Sequence, residues 1–342
     1  MKFLANMFGK KAGAPAVRQT EPAPLEILCE GASQPFAFQE HLYSHEELPI
    51  LDWQAAVDWS ARASNPASAL IDCKRGWLLH LRDALGQGYD LRESAHAAVL
   101  STGDERYAAA MLDFIERTRR RIAVTLEGVA TFRDDDREIL IIFDDPDSYY
   151  RYVSHAYPED GEFAFSSGMF LHAGCPHFVT MRDEHHTVER VITHEMTHAS
   201  VAHLRIPLWL NEGLAVNAED RLMGKQPKLF DPPDMRRKHL AFWSRDTIQE
   251  FWSGHSFGRP DDGCMLSYDL AQILVEILAG HWPQFRAFAT AASYQDGGAS
   301  AASEHMGIDL GESLAAIFEQ ASADGWRPDP EKWRGDVAHT PE

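Results

Sequence analysis

From residue 96 onward, apolar positions fall into runs whose spacing reads as alternating strands and helices. "HAAVLST" (residues 96–102) has the length of a short strand, and Thr102 with Glu105 three residues later has the form of a helix capping box. The stretch "GDERYAAAMLDFIERTRRRIAVTLEGVA" then carries Met111, Leu112, Ile115, Ile122 and Leu126 close to the helical period. Residues 139–143 form a continuous apolar run of strand length. Asp145 followed by Pro146 predicts a capped helix start. "FAFSSGMFLHAGCPHFVTM" (163–181) predicts two short strands around a turn at residues 173–176, and a helix carrying "VITHEMTHASVAHL" follows. Strand, helix, strand, helix, strands, helix is the order of an α+β domain, placed at residues 96–225.

Beyond the Pro-rich connection "GKQPKLFDPPD" the pattern turns helical. "LSYDLAQILVEILAG" puts Leu270, Ile273, Leu274, Ile277 and Leu278 on one face, and "DMRRKHLAFWS" and "LGESLAAIFEQAS" read similarly. This predicts a helical C-terminal subdomain at residues 226–320. Residues 25–95 mix short apolar runs with Trp53, Trp59 and Trp77 and show no clear period, so they are read as an N-terminal extension. Residues 1–24 are polar and rich in Pro and Gly, and 321–342 end in "RPDPEKWRGDVAHTPE"; both are expected to be flexible tails.

Composition narrows the partners. The formal charge of −20 repels phosphate backbones and anionic lipid, so nucleic acid is not expected as a partner. Lys10 and Lys11 interrupt the N-terminal apolar patch before it reaches signal-peptide length, and no run approaches the ~18 apolar residues of a membrane span. The four cysteines lie far apart without a CxxC pair, as expected of reduced thiols in a cytoplasmic protein. No pattern sets an oligomeric state.

The candidate chemistry lies in "VITHEMTHASVAHLRIPLWLNEGLAV" (191–216). Residues four apart on a helix sit about 6 Å apart along its axis and about 40° around it, so His194 and His198 face the same way and can share one metal ion. Glu195 is about 100° round from His194, displaced from the ligand direction but placed to take a proton from water. A hydrolytic zinc also needs a third protein ligand, and Glu212 is the candidate. Pro207 suits the first turn of a new helix, and two helices joined by so short a loop form a hairpin that returns Glu212 to the histidines. In a chain with 17 histidines the five-residue motif has limited weight alone; the predicted hairpin is what strengthens it.

With "THEMTH" followed by "PLWLNEGLA", the sequence resembles the gluzincin metallopeptidases, most closely the peptidase-MA-like families. The likeness extends loosely over residues 96–320, including "IIFDDPDSYYRYVSH" and "GMFLHAGCPHFV". The resemblance implies a thermolysin-like zincin fold with a small sheet beside the active-site helix. It implies one zinc per chain held by His194, His198 and Glu212, Glu195 as general base, and a peptide or protein substrate. It implies a sheet-edge strand that binds substrate backbone, for which "HFVTM" (177–181) is either the candidate or a plain hairpin strand. It also implies a Tyr or His donor to the oxyanion, with Tyr268 either that donor or a core tyrosine, and His239 and His255 as weaker candidates.

Two departures stand out. The family usually carries an Asp four residues after the third ligand to orient a zinc histidine; that position is Val216, so support falls to Glu219 or Asp220. No GxMEN-type motif for anchoring a free amino terminus is present. The alternatives to a peptidase are a non-catalytic gluzincin-like zinc-binding or interaction protein, and a metal hydrolase of a non-peptide amide. His185 and His186 are expected to be exposed, and a Cys175/His177 metal pair beside the "AGCP" turn is the minor reading of those residues. "DDD" at 134–136 is expected to be a solvated loop.

Overall fold

The computed structural model describes residues 21–86, 88–156, 168–171, 174–227 and 229–333. The proposed N-terminal tail up to residue 20, residues 163–167 with His172 and Ala173, and the last nine positions therefore lie outside the described residues.

Residues 25–95 form short elements that cover one face of a sheet. β1 (Glu26–Ile27) pairs with β2 (Phe36–Ala37), and α1 (Phe38–His41) leads into the antiparallel hairpin of β3 (Leu42–His45) and β4 (Leu48–Leu51). α2 (Trp53–Ser60) is capped by the Asp52 side chain, which accepts from Ala55 N–H. α3 (Pro66–Leu85) is capped by Asn65 and has Pro at its first turn. Ahead of them, Glu21 pairs with Arg75 and the Pro24 carbonyl contacts His80, so these residues of the expected tail are held against α3.

The central sheet has five strands: β5 (Asp90–Glu93), β6 (Ala97–Ser101), β7 (Glu138–Phe143), β8 (Gly168–Leu171) and β9 (His177–Met181), in the spatial order β5-β6-β7-β9-β8. β6, β7 and β9 run parallel, with antiparallel β5 and β8 at the edges. α4 (Glu105–Thr125) and α5 (Pro146–Val153) connect the strands. The continuous apolar runs follow from burial of both faces. Ala97, Val99, Leu140, Ile142 and Phe178 enter one core, while Ala98, Leu100, Ile139, Ile141 and Val179 enter the other with α2 and α3.

Two sequence expectations change here. Thr102 does not cap α4: Asp104, the residue just before the helix, accepts from Tyr107 N–H, while the Thr102 hydroxyl donates to Asp144. "HFVTM" is not an edge strand either. β9 is paired on both sides, and the edge beside the motif helix belongs to β8. Asp145 does cap α5, accepting from Ser148 N–H.

The rest of the described chain is helical: α6 (His185–Val201), α7 (Leu208–Met223), α8 (Pro232–Phe242), α9 (Thr247–Ser253), α10 (Asp262–Leu278), α11 (Trp282–Ala291), α12 (Ala299–Ala301) and α13 (Leu310–Ile317). The fold is thus mixed α and β, a small sheet with many helices. These helices do not build a separate core; Trp209, Trp252, Leu270 and Phe288 belong to the same buried cluster as Val99 and Ile142 of the sheet. α7 and α10 approach closely at Gly213, where an added Cβ would stand 2.6 Å from the Ala271 carbonyl oxygen. Trp326 and Trp333, in the stretch expected to be a flexible tail, are buried in that core, and the Trp252 indole donates to the Trp326 carbonyl. Among the described residues no helix is long and apolar enough to cross a membrane.

Candidate metal centre

α6 and α7 form the hairpin on which the candidate ligands sit. Pro207, with φ −65° and ψ 150°, is the extended residue before α7, and its carbonyl accepts from Leu210 and Asn211 N–H. The turn lays α7 back along α6. The His194 and His198 rings face each other edge to face with centroids 4.7 Å apart. Glu212 Oε2 lies 3.3 Å from His194 Nε2 and 3.5 Å from His198 Nε2. The three potential ligand atoms fall within 4.8 Å of one another, and among the described residues no other such trio of His, Cys, Asp or Glu is formed.

The far side of each ring is also engaged. His198 Nδ1 lies 2.9 Å from Asn211 Oδ1, and His194 Nδ1 lies 3.4 Å from Glu219 Oε2. The Asn211 oxygen favours a proton on His198 Nδ1, and both Nε2 atoms face Glu212. Glu212 Oε2 is buried and has no hydrogen-bond partner, so its contacts with the two Nε2 atoms are close without being aligned as hydrogen bonds. An unmet buried carboxylate oxygen is costly unless a cation shares the space. Two imidazoles and one carboxylate are a donor set suited to zinc, and three protein donors is the number found in hydrolytic sites.

The charges of these three residues are coupled to one another. Burial works against a charged His194, but Glu212 and then Glu219 outweigh it and push the imidazole up to about 10. Burial likewise disfavours the Glu212 carboxylate, yet His198 and His194 hold it well below the usual range. Glu195 behaves oppositely. Burial raises its carboxyl above the ordinary value despite the two histidines, and it accepts from the Phe170 backbone N–H of edge strand β8. Tyr268 lies on α10 against Phe257, with ring centroids 5.2 Å apart. Burial, then the charges of Glu212 and Glu195, hold its hydroxyl well above 10, so it stays protonated near both glutamates.

The other candidates are placed elsewhere. His239 is buried with Nε2 2.8 Å from Asp269, and its Nδ1 accepts from the Trp243 indole, so both nitrogens are engaged. His255 Nδ1 lies 3.0 Å from Ser253 Oγ. His177 is bonded at Nδ1 to the Cys175 carbonyl and at Nε2 to the Tyr152 hydroxyl, and burial pushes the Cys175 thiol up to about 12. That pair is built for packing. His185 and His186 are exposed, and the residues of "DDD" pair with Arg119, Arg133 and Lys74. Of the two supporting acids, Asp220 accepts from Gln272 while Glu219 faces His194.

Asn211 and Arg190 escaped the sequence reading. Asn211 directly precedes Glu212, and Arg190 stands one helical turn before His194, a cation on a face otherwise buried. No protein-family model matches this sequence, and no curated protein matches it.

Proposed function

We propose that the chain is a zinc-dependent metallopeptidase with a thermolysin-like zincin fold, acting on peptide or protein substrates. The observation that carries this reading is the meeting of His194, His198 and the unpartnered Glu212 oxygen around one space, with Glu195 beside it. These three residues would hold a zinc ion, which would supply Lewis acidity toward a carbonyl and lower the pKa of water toward about 7. Glu195 takes the proton of the attacking water and then returns it to the leaving amine. Tyr268, held protonated, donates to the oxygen on which negative charge develops.

The Glu219 carboxylate facing His194 supports this reading over a non-catalytic protein, for which Val216 was the motive. The test is Glu195→Gln. Cleavage of a mixed peptide library is expected to fall by about 10²- to 10⁴-fold with zinc content unchanged at one per chain. Equal cleavage by both chains, or a wild type without stoichiometric zinc, would end the reading.

A further inference from the structure

α10 presents two working faces. Ala271 and Val275 meet α7 at Gly213, while Asp269, Leu270 and Ile273 stand on the opposite side, by the 100° step of the helix. There they line a cavity of about 630 Å³, closed on its other sides by Phe230 and Met235 at α8 and by Phe318 just after α13. Sites for small organic molecules span roughly 300–1,000 Å³ and combine mostly apolar walls with a few placed polar groups.

The polar groups of this cavity lean to negative charge. The Asp231 side chain caps α8, and Arg236 at the exposed rim is answered by Glu319. Asp269 is the acid of the inner wall, its side chain 10% exposed, and His239 Nε2 lies 2.8 Å from its Oδ2. The Trp243 indole donates to His239 Nδ1, so the imidazole approaches Asp269 as a neutral donor and brings no charge to it. A carboxylate accepts at up to about four positions, so this bond does not exhaust it. Buried and bonded at both nitrogens, His239 instead fixes how the carboxylate is presented. Phe230 and Phe318 add ring faces, and Phe230 already takes a cation on one of its own, Lys238 Nζ at 4.5 Å from the centroid. An apolar chamber with an acid inside and aromatic walls complements an amphipathic cation better than an anion or a neutral chain.

We propose that this cavity is a second binding site, for a small organic amine: its apolar body seats against Leu270, Ile273 and Phe318, and its ammonium group meets Asp269. The site lies across α10 from the α6 and α7 hairpin and does not depend on the peptidase reading.

The test uses the full chain and three probes of equal chain length, n-octylammonium, octanoate and octanol. Binding is measured by titration calorimetry and by ¹³C-methyl-methionine NMR, with the Met235 methyl in the cavity wall as reporter, assigned through Met235→Leu. Octylammonium is expected to move the Met235 signal saturably at one site per chain, and to bind at least about tenfold more tightly than octanoate or octanol. Asp269→Asn keeps an acceptor for His239 and removes the charge, and is expected to bring octylammonium down to the affinity of octanol. Ile273→Trp fills the chamber and is expected to abolish the Met235 shift with every probe. If Asp269→Asn does not fold, the three probes on wild type and on Ile273→Trp carry the test. Equal affinities for the three probes, or unchanged octylammonium affinity in folded Asp269→Asn, overturn the role of the acid. A Met235 signal that octylammonium leaves in place, or that still moves in Ile273→Trp, overturns the site itself.

Discussion

Tyr268 and His177 show how burial assigns different work to similar polar groups. Tyr268 stays protonated beside two glutamates, so Tyr268→Phe is expected to lower kcat for peptide cleavage by about 10²- to 10³-fold with KM little changed. An unchanged kcat would return Tyr268 to the core. His177 is 2% exposed, and burial lowers it from 6.5 to about 4. The folded chain keeps it neutral through that interval, while the unfolded chain takes up the proton near 6.5. Stability is therefore full above about 6.5 and declines as pH falls toward 4, by about 3 kcal/mol over the whole window. Urea midpoints of wild type and His177→Gln, compared at about pH 7.5 and about pH 5, should show a smaller decline in the variant; parallel declines would mean that other groups set the slope.

At the scale of elements, the hairpin of α6 and α7 carries the site, and its geometry depends on Gly213. Replacing it with Ala would gain about 1 kcal/mol of helix propensity. The added Cβ, however, meets a backbone carbonyl at 2.6 Å, which no rotamer can relieve. Overpacking of this kind costs about 1–3 kcal/mol, so Gly213→Ala is expected to be destabilising on balance and to weaken zinc binding as α7 shifts. Denaturant melts with and without zinc would reveal it, and a more stable variant would contradict the close packing. The hairpin was legible in the sequence because its signals are local: a four-residue histidine spacing and a proline at a helix start. The choice between Glu219 and Asp220 was not, since neighbours differ by about 100° around α7 and packing against α10 sets the rotation. The edge position of β8 was equally hidden, because strand order depends on pairings between distant segments. Residues 25–95 gave no clear period although α3 runs unbroken for 20 residues, because the strands around it have only two to four residues and α3 itself buries Lys74, Gly76 and Arg82 among its apolar positions.

For the whole molecule, one core joins the sheet face to the C-terminal helices, with α6 and α7 inside it. A ligand bound by the hairpin should then stabilise the entire unit rather than a local segment. At free zinc about 100 times its Kd the linkage amounts to about 2.7 kcal/mol. Chelation is expected to lower a single cooperative melting transition, and a zinc-sensitive transition separate from the main one would divide the unit. Trp326 and Trp333 belong to that unit although "WRPDPEKW" reads as tail, since its prolines and charges mask two indoles that find places only in the assembled core.

The His194 ring, set lengthwise between two glutamates of one helix, has a consequence for how such centres are recognised. The carboxylate that faces His194 Nδ1 stands seven residues after Glu212, at Glu219, and a pattern that looks only four residues on, at Val216, passes over it. Seven residues on a helix return to within about 20° of the starting direction, so an acid at that interval lies on the same stripe as Glu212. The dependable signature is then the oxygen found behind Nδ1 in space, at whatever interval the chain supplies it.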